Sequence, residues 1–142
     1  KKFLKDLDIA LELIKIHFDN FKFIDKSLLK SKQFAKRAVN YDGTFIEYFS
    51  ETIRKDKNIA IESILNDWRS INYVHKSLYK NKDLMNSAVK INGAAMMYAD
   101  QSLKKDKKFC LMALKTDSDA FDYIDDSLQK DTKILKAAGK KT

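Results

Sequence analysis

The chain has 142 residues, 44 % of them apolar and 34 % charged, with 28 lysines and arginines against 20 aspartates and glutamates for a net charge of +8. That balance excludes a disordered chain and a membrane-embedded one, and the length suits one domain with a continuous core. Proline is absent and there are only three glycines, too few turn residues for an all-β fold and a composition that favours helices.

From the N-terminus, Asp6, Asp8 and Glu12 interrupt the apolar run a secretory signal would need, so no signal peptide is expected. Gly93 to Ala99, the longest uncharged apolar-rich run, is about a third of the roughly 20 residues of a membrane-spanning helix. A cytoplasmic chain is expected, and the lone Cys110 fits a reducing compartment. Abundant lysine, asparagine and isoleucine point to an AT-rich bacterial or phage genome.

A single fixed period governs the rest. Ser27-Leu28, Thr52-Ile53, Ser77-Leu78, Ser102-Leu103 and Ser127-Leu128 recur in constant step, each followed by a lysine at Lys30, Lys55, Lys80, Lys105 and Lys130. Next come Ser31, Asp56, Asn81, Asp106 and Asp131, with Asp6 before them, all residue types that cap helix N-termini. The spacing predicts units 6–30, 31–55, 56–80, 81–105 and 106–130, then a capping helix over 131–139 closed by Gly139. In each unit a helix of about 11 residues buries one stripe, which includes Ile9, Phe34, Ile59, Leu84, Phe109 and Ile134. It ends at Asp42-Gly43, Asp67-Trp68, Asn92-Gly93 or Asp117-Ser118, where glycine would supply the positive φ of a helix terminus. A second, shorter apolar segment follows, and the Ser-Leu element reads as a 3₁₀ turn. Phe3 and Lys5 match Leu28 and Lys30, an N-terminal capping fragment. The expected fold is all-α: a helical-repeat solenoid of five helix-pair units in a single domain, 1–142.

The run Ala88-Val89-Lys90-Ile91-Asn92-Gly93, then Met97-Tyr98-Ala99-Asp100, then Ser102-Leu103-Lys104-Lys105-Asp106 resembles the bacterial tandem repeat known as domain of unknown function 4116. Units of that family share A-V-x-x-N-G, then Y-A, then L-K-x-D. The match is sharp over 81–105 and fair over 31–55, where Phe49 follows Tyr48 in place of a small residue. The resemblance implies a helical repeat and brings no activity with it.

A catalytic group is needed once, so a residue type recurring in five units is explained first by folding. The hydroxyls at 27, 52, 77, 102 and 127 read as turn or capping groups. Phe23, Tyr48, Tyr73, Tyr98 and Tyr123 read as packing between units. Beside the lysine series they would also suit single-stranded nucleic acid, which makes Lys30, Lys55, Lys80, Lys105, Lys130, Tyr48, Tyr73 and Tyr98 candidate nucleic-acid contacts. Function is sought where a unit departs from the pattern. Trp68 stands where Gly43 and Gly93 stand, next to Arg69, and Phe18 departs in the same way, so these three are the candidate partner contacts. His17 and His75 lack the spacing of a metal site, and Cys110 replaces Ala10, Ala35 and Ala60 as a core thiol. The aspartates of residues 117–126 lack the glycine and glutamate of a calcium loop. No catalytic residue, metal or cofactor is expected.

Six of the eight net charges fall in residues 1–5 and 131–142, and each lysine of the series faces a following acidic cap, so a continuous basic stripe is not indicated. The expectation is a non-catalytic protein-interaction module. The alternatives are a basic nucleic-acid-binding repeat, or a phage or mobile-element inhibitor that binds a bacterial nucleoprotein.

Overall fold

A helix begins where some acceptor takes up the N–H groups that its first turn leaves free. In the computed structural model of the protein, which describes residues 4–141, Asp6, Ser31, Asp56, Asn81, Asp106 and Asp131 all do so, accepting backbone N–H groups two or three residues on at 2.9–3.3 Å. The helices are α1 (Leu7–Ile16), α2 (Lys32–Tyr41), α3 (Glu51–Arg54), α4 (Lys57–Asn66), α5 (Lys82–Ile91), α6 (Gln101–Lys104), α7 (Lys107–Leu114) and α8 (Thr132–Ala137). Six follow the predicted caps, and each such cap contributes about 1 kcal/mol. The protein is an all-α tandem helical repeat, with no strand among the described residues beyond an isolated bridge between Leu4 and Ile24. No helix of the described residues is long and apolar enough to cross a membrane.

The second segment of each repeat is not α-helical. Phe18–Phe23, Gly43–Tyr48, Trp68–Asn72, Gly93–Tyr98 and Ser118–Tyr123 are 3₁₀ helices. Each is fixed at its start by a side chain that accepts the N–H two residues on: His17, Asp42, Asp67, Asn92 or Asp117. The tighter turn of these short segments buries Phe21, Ile46, Ile71, Met96 and Phe121.

The period of the sequence is written into the main chain. The N–H groups of Asp25, Ser50, His75, Asp100 and Asp125 donate to the carbonyls of Leu4, Leu29, Arg54, Tyr79 and Lys104, at the same offset along the chain each time and at 2.9–3.2 Å. One such bond ties each repeat to the tail of the one before it.

Packing gathers the chain into two compact units, residues 1–75 and 76–142, with the division inside the repeat 56–80. In the first, α1 packs on α2 and α2 on α4, with the 3₁₀ helices as a second layer. Phe34, Ile46, Ile59, Ile64 and Ile71 are fully buried there. In the second, α7 packs against both α5 and α8 over Leu84, Met85, Met96, Phe109 and Ile134. Ile9 departs from the predicted stripe and is 55 % exposed, because α1 has a helix neighbour on one side only. Phe3, read as part of a capping fragment, lies outside the described residues.

Two glycines serve a purpose other than the predicted one. Gly43 and Gly93 do not have positive φ. A Cβ on Gly43 would collide with the Ser63 carbonyl of α4, and one on Gly93 with the Ala113 carbonyl of α7. Both let a 3₁₀ helix touch the backbone of the next long helix. Gly139 alone has positive φ, at 66°, and it closes α8 with bonds from its own N–H to Lys136 and from Lys140 to Leu135, both at carbonyl oxygens.

Gly43→Ala and Gly93→Ala each lower stability by about 1–3 kcal/mol, since a backbone carbonyl must move to admit the methyl group. Gly139→Ala, which meets open space and only dihedral strain, costs about 1 kcal/mol. Urea melts of the three variants check the order; a larger loss at Gly139 would contradict it.

Candidate interaction surface

The 3₁₀ layer of the first unit presents an open groove of about 470 Å³, lined by Phe18, Tyr48, Arg69 and Tyr73 together with Asp42 and Glu47. Three successive repeats contribute to it. Phe18 opens its 3₁₀ helix and is 48 % exposed; it stacks on His17 at 4.6 Å and lies 6.3 Å from the ring of Tyr48. Tyr48 lies flat on Phe21 of the preceding repeat, at 4.3 Å and 11°. Burial first, and the Glu47 carboxylate second, raise the Tyr48 phenol above its ordinary pKa, so it stays a hydroxyl donor.

Arg69 is held in place by its own cap residue. Its Nε donates to both Asp67 carboxylate oxygens at 3.0 and 3.1 Å, and one terminal nitrogen donates to Oδ2 at 2.6 Å. The pair raises the guanidinium pKa and lowers that of the carboxyl. The Arg69 side chain remains 70 % exposed, so the clamp orients the guanidinium and leaves donors free. Trp68 opens the same 3₁₀ helix, half-buried, and does not line the groove. The structure thus brings together Phe18 and Arg69 of the three sequence-derived contacts and adds two tyrosines. Asp42 and Glu47 do not stand out in the sequence; Asp42 reads there only as a turn residue.

The lysine series is exposed at all five positions, but the lysines do not face the acidic caps as expected. Lys55 pairs with Glu51 at 2.5 Å and Lys105 lies 3.9 Å from Asp125. The caps are held by other lysines: Asp56 by Lys32 at 2.6 Å, Asp106 by Lys82 at 2.5 Å and Asp131 by Lys107 at 2.7 Å. Each of these lysines is the first residue of its helix and stands one repeat back, level with the next cap. Their hydrogen bonds pull all three carboxyls below the usual range. Tyrosine faces are also occupied: Tyr98 sits 5.7 Å from Tyr79, and Lys104 lies 6.0 Å over Tyr123.

Ser27, Ser102 and Ser127 donate to Asp25, Asp100 and Asp125 at 2.6–2.7 Å, and the same carboxylate oxygens accept the serine N–H groups, which makes them turn residues. Cys110 is fully buried, with its Sγ 3.3 Å from the Lys104 carbonyl oxygen. Among the described residues, no three histidine, cysteine, aspartate or glutamate side chains are grouped to hold a metal ion.

The fold and its caps define a tandem helical repeat. Residues 31–79 and 81–129 each match the family model described as domain of unknown function (DUF4116), and the chain belongs to that family. Each match spans two of the sequence repeats and starts at a cap, Ser31 or Asn81. No curated protein and no solved structure showed a significant match.

Burial pushes the Cys110 thiol up to about 11, from 9.0 in the open chain. The folded form therefore keeps its proton where the unfolded form has lost it, and this contribution to stability is full below pH 9 and lost as pH rises towards 11. Cys110→Ala, the residue found at positions 10, 35 and 60, should flatten the alkaline fall in stability relative to the parent chain. A disulfide reagent at pH 8 should label Cys110 only as fast as the chain opens; rapid labelling of the folded protein would contradict its burial.

Proposed function

We propose that the chain is a non-catalytic module that binds a protein partner, with the groove of the first unit as a contact surface. The observation that carries this reading is the convergence of Phe18, Tyr48, Tyr73 and the clamped Arg69 on one open groove. Aromatic side chains beside an oriented guanidinium are the residue types that dominate protein-interface energetics, and an arginine already fixed by Asp67 loses little entropy on binding. Trp68, next to Arg69 in the chain and half-exposed, is the third proposed contact. Cys110 is a buried thiol, which agrees with a cytoplasmic location.

Two observations favour protein over nucleic acid. Asp42 and Glu47 line the groove beside Arg69 and would repel phosphate. Tyr48 already stacks with Phe21 at 4.3 Å and with Phe18 at 6.3 Å, so its ring is engaged by aromatics of the chain itself. The lysine series keeps the nucleic-acid reading open to the same experiment.

A photo-crosslinking residue at Phe18 of the full chain, in nuclease-treated lysate of the source cell, should trap one defined protein. Phe18→Ala with Arg69→Ala should cut its recovery at least about 30-fold, the effect of losing one hot spot of about 2 kcal/mol. The melting temperature should stay close to that of the parent, because both side chains are substantially exposed. Trapping that disappears with nuclease, or that ignores the double variant, would overturn the reading.

A further inference from the structure

The outer helices of the second unit carry a different surface. A groove of about 810 Å³ runs along α7, with α5 and α8 as its walls. Leu111 and Met112 form its apolar floor, and Lys90, Lys108, Lys115 and Lys133 stand around it. Lys107, at one end, is held by Asp131 at 2.7 Å. Among the described residues, no carboxylate lines the groove. Among the described residues none of the four surrounding lysines has a carboxylate within ion-pair distance.

Comparison with the first unit shows how unusual this is for the repeat. Four repeats earlier, Asp8, Glu12 and Lys15 stand in register with Lys108, Met112 and Lys115. On α1, Glu12 holds Lys15 at 2.8 Å, and Asp8 holds Arg37 at 2.6 Å. In the repeat midway between them the glutamate is Glu62, which lies 3.7 Å from Lys36. The helices of the first unit therefore keep Glu12, Asp8 and Glu62 beside basic side chains. In α7 the glutamate has become Met112, which releases Lys115, and the aspartate has become Lys108. Two changes at neutralising positions, both in the same direction, leave an apolar strip flanked by unmatched positive charge.

We propose that this groove binds an acidic amphipathic helix of a protein partner. The proposal rests on the interaction-module reading and gives its second surface a partner chemistry. Leu111 and Met112 would receive apolar side chains spaced one helical turn apart, with the thioether adapting to their shape. Carboxylates on the flanks of that helix would reach the lysines. Nucleic acid fits less well, because the floor offers aliphatic groups and no ring for a base to stack on.

The test uses the full chain and a surface-displayed library of peptides about 15 residues long, patterned as amphipathic helices with random charged flanks. Selection should enrich Asp and Glu flanks. Met112→Glu, which restores the repeat's own ion pair to Lys115, should lower binding of the enriched peptides at least about tenfold, as should Lys108→Glu with Lys115→Glu. Both variants alter exposed or half-exposed positions, and an unchanged melting temperature confirms that they fold. Phe18→Ala with Arg69→Ala should leave peptide binding unchanged, which separates this surface from that of the first unit. Enrichment of neutral or basic flanks overturns the proposal, as does binding that ignores Met112→Glu. So does binding, sensitive to Met112→Glu, of single-stranded oligonucleotide or anionic vesicles with none of the acidic peptides.

Discussion

One main-chain hydrogen bond sets the frame on which everything else depends. The N–H that opens each Ser-Leu element reaches back to a carbonyl at the end of the previous repeat, and it does so five times at one offset. Because donor and acceptor are backbone, the bond tolerates aspartate, serine or histidine at its donor position. A repeat that is held this way can vary its side chains widely without losing register. Caps, buried stripes and cap-to-lysine ion pairs then recur at the same spacing because the backbone has already brought them level.

Much of this is legible in the sequence, and what escapes it does so for definite causes. Helix starts are readable because a cap is a local event: one oxygen, two or three residues from the N–H it accepts. The 3₁₀ character of the second segments is not, because apolar spacing over so short a segment fits either helix. The pattern around Gly43 and Gly93 points to backbone dihedrals, but the cause is a neighbour's carbonyl, which no local pattern can reveal. The pairing of lysines with caps escapes for the same reason: Lys82 and Lys107 reach carboxylates 24 residues away in preference to any adjacent one.

A second periodicity refines the choice of functional residues. Glycines recur at 43 and 93, and α3 and α6 recur at 51–54 and 101–104, so the pattern repeats over pairs of units as well as over single ones. The family model, which matches two repeats at a time, has the same span. Trp68 is then to be compared with Phe18 and Ser118 rather than with the glycines, and a large residue there is less exceptional than a comparison of single units implies. By the same comparison Met112 becomes conspicuous, since Glu12 and Glu62 are its true counterparts. Departures within the matched frame contribute to both proposed surfaces: Arg69, whose counterparts are Asp19 and Asp119, in one unit, and Lys108 and Met112 in the other.

In-register buried residues, on this view, make the fold, and exposed side chains, the departures Arg69, Lys108 and Met112 among them, make the proposed contacts. The most direct measurement is a full substitution scan of the chain read twice, once for protease resistance and once for binding of the partner recovered by crosslinking and of the selected acidic peptides. Substitutions at Phe34, Ile59, Leu84 and Phe109 should lose folding and both kinds of binding together. Substitutions at Phe18, Arg69, Met112 and Lys115 should change binding at unchanged resistance, each pair affecting one ligand only. A scan in which no position separates binding from folding would contradict the division.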